Sequence, residues 1–261
     1  MAKFRITIDF LVMETFQRLF GVLSLCNLLD KTIPEAELEE TTALREMAEG
    51  EGWDYGEYQA EVQGVEARFR HWLPRLSAYS IIILLHSILE TQLLAYAERV
   101  GRTKKSAFRL EDIYGKGIEK ARLFLLRVSA IDIRSDPSWK HLEDLHKLRN
   151  FIVHRGGKLA KSNDQKQAIE QLVSSYKGKL AFPEEGRLYG FGEIWVSMPL
   201  CRLFVEEVEG LDVDKVIQEF QKAEESSSGR NGTFKIDAPF EKALDTILKA
   251  KPEPKKPKTR R

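Results

Sequence analysis

The sequence contains little cysteine and almost no net charge. Its 261 residues include two cysteines, Cys26 and Cys201, which lie far apart in apolar surroundings. We expect two buried free thiols in preference to a disulfide. The 41 basic and 40 acidic residues give a formal net charge of +1. Total charge therefore does not predict non-specific attraction to nucleic acid, and any anion site must be local.

Long uninterrupted apolar runs are also missing. The apolar N-terminus is broken by Asp9, Glu14 and Arg18 and so fits neither a signal peptide nor a membrane span. A second apolar run, YSIIILLHSILETQLLAYA, contains His86 and Glu90. This run is more typical of a buried helix in a helical bundle. We therefore expect no membrane contact and a reducing, cytoplasmic setting.

Helical periodicity dominates the first hundred residues and predicts an all-α fold. A first helix is expected over 15–29, followed by an acidic stretch that favours a short helix and a loop. A second helical region begins near Tyr58, and Pro74 should kink or restart it. Over 77–100 the apolar residues cover almost the whole helix surface. This helix is expected at the centre of the bundle, with Gly101 as its cap.

The remaining chain predicts further helices around a small hairpin. A helix of the central region begins near Pro137, with Asp136 or Ser138 as its cap, and ends at Gly156 and Gly157. Other helices are expected at 118–128, 161–176, 199–207, 213–224 and 238–248, with a small β-hairpin around 187–196. The predicted organisation is an N-terminal helical extension (1–72), a helical bundle (73–222), and a segment (223–261) with a flexible linker, a short helix and a disordered basic tail.

The segment HKLRNFIVHRGG, residues 146–157, groups polar side chains at the end of an apolar helix. Asn150 and His154 are four residues apart, so they lie within about 40° of each other on one helix face. His146 and Glu143 extend this stripe backwards, and Arg149 lies beside it. A helix C-terminus favours the protonated form of a nearby histidine, and histidine exchanges protons near neutral pH. The opposite face carries the core row Trp139, Leu142, Leu145, Leu148 and Ile152.

This pattern resembles the arginine-x4-histidine motif of the HEPN superfamily, all-helical domains found in many RNA-cleaving toxins and defence proteins. Asn150 matches the polar residue that commonly follows the motif arginine. The apolar helix that contains Glu90 resembles the family's helix that packs against the motif helix, and HRGG is a common continuation. The resemblance covers roughly residues 73–220. It implies a HEPN-like bundle.

The resemblance further implies a metal-independent endoribonuclease that needs no cofactor. Such an enzyme would serve as a toxin or an antiviral defence effector. His154 would act as base or acid in attack by the RNA 2′-hydroxyl, and Arg149 would hold two phosphate oxygens. Asn150 would orient His154 or the phosphate, with Glu90 and His146 in support. One chain supplies one motif histidine, so a homodimer would build a composite site. RNA and an antitoxin or regulatory protein are the implied partners.

Several alternatives stay open from the residues. The chain can be a HEPN-like RNA-binding or dimerisation module without turnover. Taken singly, Arg149 can be a salt-bridge residue, and His154 can bond a carbonyl at the helix end. Glu90 can tune the site through Arg149 or His154, or it can satisfy a buried polar neighbour such as His86, four residues before it. Glu143-x-x-His146 matches half of a carboxylate di-iron site, but no second copy occurs, so no metal site is expected.

Overall fold

The computed structural model describes residues 10–129, 132–158, 163–182 and 192–209. Within these ranges the protein is all-α, as predicted, apart from one two-stranded antiparallel sheet. The helices are α1 (Phe10–Glu51), α2 (Tyr55–Ala67), α3 (Leu73–Thr103), α4 (Gly117–Ser129), α5 (Ser138–Arg155), α6 (Asn163–Ser175) and α7 (Met198–Glu209). The strands are β1 (Leu180–Ala181) and β2 (Trp195–Val196).

Helix α3 lies at the centre of the fold, as its apolar surface predicts. It packs against α1, α4, α5 and α7. Its Ile82 and Leu85 are completely buried. Among the described residues, the helical stretch Tyr55–Thr103 is long and apolar enough to cross a membrane by length and composition alone. Half of its most apolar window is buried inside the protein, as is common for a core helix.

Helix α1 is longer than predicted. The acidic stretch after residue 29 was expected to break into a short helix and a loop, yet it continues as helix to Glu51, with Pro34 inside. The stretch is rich in Glu, Ala and Leu, which are good helix formers. Two ion pairs attach it to the next helical segment: Arg70 Nε lies 2.6 Å from Glu37 Oε1, and Arg68 pairs with Glu40. These contacts are formed between distant parts of the chain, which local periodicity does not register.

The second helical region begins at Tyr55, three residues before the predicted start. Asp54 caps it, and the side chain of Glu57 returns the bond to the backbone of Asp54. A π-helical turn, Arg68–Trp72, follows α2 without interruption, and α3 starts with Pro74 in its first turn. Of the predicted kink or restart, the structure shows that α3 begins one residue before this proline, although the helical path from α2 is continuous through the π-helical turn. A proline lacks the backbone N–H and is best tolerated in a first turn.

Gly101 does not cap α3. The helix continues to Thr103, and the positive φ angle of 49° is found at Lys105. A Cβ atom at residue 101 would lie 2.7 Å from the ring of Phe124 in α4. Gly101 therefore serves the close approach of two helices, a role that sequence cannot distinguish from a cap.

Helix α5 follows the prediction closely. The carboxylate of Asp136 accepts a bond of 2.8 Å from the backbone N–H of Ser138, and the predicted core row is buried. Gly156, with φ of 60°, ends the helix in the left-handed conformation. Gly157, with φ of 77°, then packs against Tyr79 of α3, whose hydroxyl donates a 2.6 Å bond to the carbonyl of Ile194.

The two strands of the sheet are not the two neighbouring strands of the predicted hairpin. Val196 of β2 pairs with Leu180 of β1, which lies upstream of the predicted hairpin. Residues 187–191 of that hairpin lie outside the described residues. So do the predicted helices 213–224 and 238–248, the linker and the basic tail. Helices α4, α6 and α7 confirm their predictions, and Cys26 and Cys201 are buried free thiols.

Candidate functional site

The polar residues of the motif lie together near the C-terminal end of α5. Arg149 and Asn150 are half-buried, and His146 and His154 are exposed. Leu145, Leu148 and Ile152 on the opposite face are buried and fix the helix against the core. The motif side chains are thus held at the surface by a rigid helix rather than by a loop.

A continuous hydrogen-bonded chain runs from the motif arginine into the core. A terminal nitrogen of Arg149 (Nη1) donates to Oδ1 of Asn150 at 2.9 Å. Nδ2 of Asn150 lies 2.9 Å from Nε2 of His146. Nδ1 of His146 lies 2.8 Å from Nε2 of His86, which is almost completely buried in α3. The structure therefore joins α5 to α3 through two imidazole rings.

The donors in this chain follow from its first bond. Asn150 uses its oxygen to accept from Arg149, so it must present its NH₂ group to His146. Nε2 of His146 then accepts, which places the proton of the neutral ring on Nδ1. That N–H donates to Nε2 of His86, and the proton of the neutral His86 ring is left on Nδ1. Each assignment requires the next, so every hydrogen bond in the series donates in the same direction, from Arg149 toward His86.

Glu90 lies at the inner end of this chain. One of its oxygens is 3.6 Å from Nδ1 of His86, just beyond hydrogen-bond distance. Its other oxygen occupies the space beside Gly117, where an added Cβ would lie 2.7 Å away. Within the described ranges, Glu90 forms no bond to Arg149 or His154. Of the two interpretations from the sequence, the structure favours the one in which Glu90 neighbours the buried His86. The role of Gly117 has no signal in the sequence.

Arg149 is a cation without a carboxylate partner in the described part of the chain. Its one hydrogen bond there goes to the neutral amide of Asn150. Its Nε atom is buried and has no partner among the described residues. Arg149 therefore forms no salt bridge with the described residues, contrary to one of its two interpretations from the sequence. A half-buried guanidinium that is not neutralised is a strong local attraction for an anion.

His154 differs from the other motif residues because it makes no hydrogen bond within the described ranges. Its side chain is exposed. Asn150 was expected to orient either His154 or a phosphate, but its amide is engaged by His146. The structure thus brings together Arg149, Asn150 and His146, and leaves His154 one turn further on.

The two linked histidines are held in their neutral form. Burial, together with the neighbouring His146 and Arg149, lowers the pKa of His86 to about 4. Burial and Arg149 also lower the pKa of His146, while Glu90 acts in the opposite direction. Both rings are therefore predominantly neutral near pH 7, as the donor assignment requires.

This burial predicts a stability loss in mild acid. The unfolded chain binds a proton at His86 below about pH 6.5, whereas the folded protein does so only near its lowered pKa of about 4. The free energy of unfolding should therefore fall by about 3 kcal/mol as the pH drops through this window. Denaturant unfolding at about pH 7.5 and about pH 5 should show about 2 kcal/mol of this loss, because pH 5 still lies above the lowered pKa of His86. His86→Gln keeps an acceptor for His146 but does not titrate, so it should reduce the loss, whereas the exposed control His154→Gln should not.

Other polar residues of α5 anchor the helix rather than join the site. Asp144 is buried, accepts bonds from Lys140 and Lys147 at 2.7 and 3.2 Å, and lies 3.2 Å from the hydroxyl of Tyr176. The pattern Glu143-x-x-His146 has a similar explanation, since Glu143 accepts a 2.7 Å bond from the indole of Trp139. Within the described ranges no cluster of three or more metal-ligating side chains is found.

We compared the chain with known proteins at three levels. No protein-family model matches it, and neither does a curated protein or a solved structure.

Proposed function

We propose that the protein is a metal-independent endoribonuclease of HEPN type. The observation that carries the proposal is Arg149, a half-buried cation that no described carboxylate neutralises. It lies on the same helix end as the exposed His154 and close to His146, whose ring bonds to the buried His86 of α3. Positive charge for a phosphate and histidines for proton transfer are the two requirements of this reaction.

The proposed reaction uses the 2′-hydroxyl of the RNA itself. This oxygen attacks the adjacent phosphorus, loses its proton to a base, and the 5′-oxygen leaves with a proton from an acid. The products are a 2′,3′-cyclic phosphate and a free 5′-hydroxyl. Arg149 binds the non-bridging oxygens, which gain negative charge in the transition state. The exposed ring of His154 supplies one of the two proton transfers.

A second copy of the chain completes the proposed site. His146 and His154 are eight residues apart on α5, so their Cα atoms are separated by about 12 Å along the helix. Both side chains lean toward the helix N-terminus, which preserves this separation. One chain therefore does not bring both rings to a single phosphodiester. A two-fold dimer that places the motif end of one α5 against its copy supplies the missing group.

A second candidate function is RNA binding without turnover, and one observation favours it. The Nε2 atom of His146 is covered by Asn150, and His154 has no described group to orient it. A site of this kind binds phosphate through Arg149 without positioning a base. In either case, a toxin or defence role would involve a regulatory partner.

Incubation of the purified protein with total RNA in excess chelator tests the function. We expect cleavage to continue at an unchanged rate, because no step uses a metal ion, and the upstream fragments to end in 2′,3′-cyclic phosphate. A substrate with 2′-deoxyribose at the cleaved positions is the matched control and should remain intact. Binding without cleavage would select the second candidate. Activity that is lost with chelator and restored by a divalent ion would refute the proposed mechanism.

A further inference from the structure

The histidine that contacts the arginine–asparagine pair is His146, eight residues before the motif histidine. Its exposed ring reaches the surface beside Asn150, and its other nitrogen bonds to His86 in the core. Beyond His86 lies Glu90, whose side chain remains about one-third exposed. These residues form a path from the surface site to a carboxylate on another helix.

We propose that this path is a proton relay, in which His146 is the base of the site and Glu90 receives the proton through His86. The inference rests on the proposed function and adds three residues to it. His154 of the second copy is then left as the acid for the departing 5′-oxygen.

Every proton in the relay has a donor and an acceptor. Nε2 of His146 takes the 2′-hydroxyl proton, and Nδ1 of His146 passes its own proton to Nε2 of His86. Nδ1 of His86 then passes its proton to a carboxylate oxygen of Glu90. At the end both rings are neutral with their protons moved to Nε2, and Glu90 is protonated. The last gap of 3.6 Å is crossed when the Glu90 side chain moves closer or through one water molecule.

The first bond of the chain provides a trigger. Arg149 donates to Oδ1 of Asn150, and a phosphate competes for the same guanidinium hydrogens. Once Arg149 turns to the phosphate, the Asn150 amide keeps only its bond to His146 and can rotate away from Nε2. Nε2 of His146 is then uncovered at the moment when substrate is present.

The burial of His86 supports a relay over a packing role. A nonpolar residue would fill this core position at lower cost, since an unpaired buried nitrogen typically costs about 1–3 kcal/mol. Nδ1 of His86 has no hydrogen bond within the described ranges and is directed toward Glu90. Gly117 in turn leaves the space that Glu90 occupies. Three helix segments are thus arranged around one proton path.

Nitrogen NMR on the full chain with ¹⁵N-labelled histidine tests the path itself. Near neutral pH, we expect both rings to carry their proton on Nδ1. A coupling through the hydrogen bond between His86 Nε2 and His146 Nδ1 should also be seen. A ring protonated on Nε2, or no coupling between the two rings, would overturn the relay whatever the protein does to RNA.

The kinetics of RNA cleavage test whether the reaction uses this proton relay. His86→Gln and Glu90→Gln should each lower kcat at least about tenfold, a small part of what a general base contributes. KM should stay unchanged, and the double variant should be no slower than either single one, because both changes interrupt one path. The dependence of kcat on solvent deuterium fraction should change from curved to linear. The control His71→Gln should behave as wild type.

The outcomes separate the relay from the proposed function. Additive losses with a curved deuterium dependence would show that His86 and Glu90 act only through packing, and would overturn the relay. Cleavage without the expected protonation of the two rings would refute the relay and leave the nuclease. Correct protonation in a wild-type protein that does not cut RNA would refute both the nuclease and this use of the path.

Discussion

Arg149→Ala and His154→Ala are each expected to reduce the rate of RNA cleavage by at least about 100-fold, while leaving the free energy of unfolding almost unchanged. Removal of a single group that stabilises transition-state charge typically costs this much. Arg149 makes only one described hydrogen bond, to Asn150, and His154 makes none. Arg149 is only half-buried and His154 is exposed, so truncating either side chain removes little from the core. Cleavage rates and denaturant unfolding, measured on the same preparations, check both parts.

Two further variants sharpen this prediction. Arg149→Lys keeps the positive charge but loses the planar fork that binds two phosphate oxygens, so it should not restore activity. Arg155→Ala removes a neighbouring exposed cation at the same helix end and should retain near wild-type cleavage. Full cleavage by His154→Ala would contradict the catalytic assignment. Unfolding of the Arg149 or His154 variants would instead show that these residues are structural.

Gly157→Ala is expected to lower the free energy of unfolding by about 3 kcal/mol. A residue other than glycine is strained by roughly 1–2 kcal/mol at a positive φ angle, which is 77° here. The added methyl group would also overlap the Tyr79 ring and hydroxyl, and overpacking typically costs about 1–3 kcal/mol. Tyr79 cannot move away freely, because its hydroxyl bonds to the carbonyl of Ile194. Denaturant unfolding measures the change.

Gly156→Ala is the matched control for this change. Gly156 also has a positive φ angle, 60°, but none of the described residues places an atom within 4 Å of its added Cβ. We expect only the backbone strain of about 1 kcal/mol. Equal losses in the two variants would show that the contact with Tyr79 does not matter, and that the two glycines serve only to end α5.

Much of the fold could be predicted because its helices are amphipathic or apolar over their whole length. The core row of α5 and the buried α3 follow from periodicity alone, since each residue type matches the side it faces. The length of α1 could not be predicted, because the contacts of Glu37 and Glu40 with Arg70 and Arg68 join positions about thirty residues apart. Gly101 was misread for a similar reason, since only the fold reveals the ring of Phe124 beside it.

The candidate site was predictable in its location and not in its connections. Spacing on one helix placed Arg149, Asn150 and His146 together, and the structure joins them. The same spacing also predicted that Asn150 would orient His154. Asn150 is, however, four residues from His146 as well as four residues from His154. The hydrogen bond from His86 holds the ring of His146 in place, so His146 is the histidine that bonds to Asn150. His86 lies in α3, sixty residues before His146 in the sequence. No pattern within α5 carries that information.

The most direct test of the composite site is to mix Arg149→Ala chains with His154→Ala chains. A mixed dimer retains one intact arginine and one intact motif histidine on opposite chains, so it should cleave RNA weakly but measurably. Each variant alone should cleave at least about 100-fold more slowly than wild type, and sedimentation should report a dimer at micromolar concentration. An inactive mixture of chains shown to exchange, or cleavage by a strict monomer, would contradict the composite site.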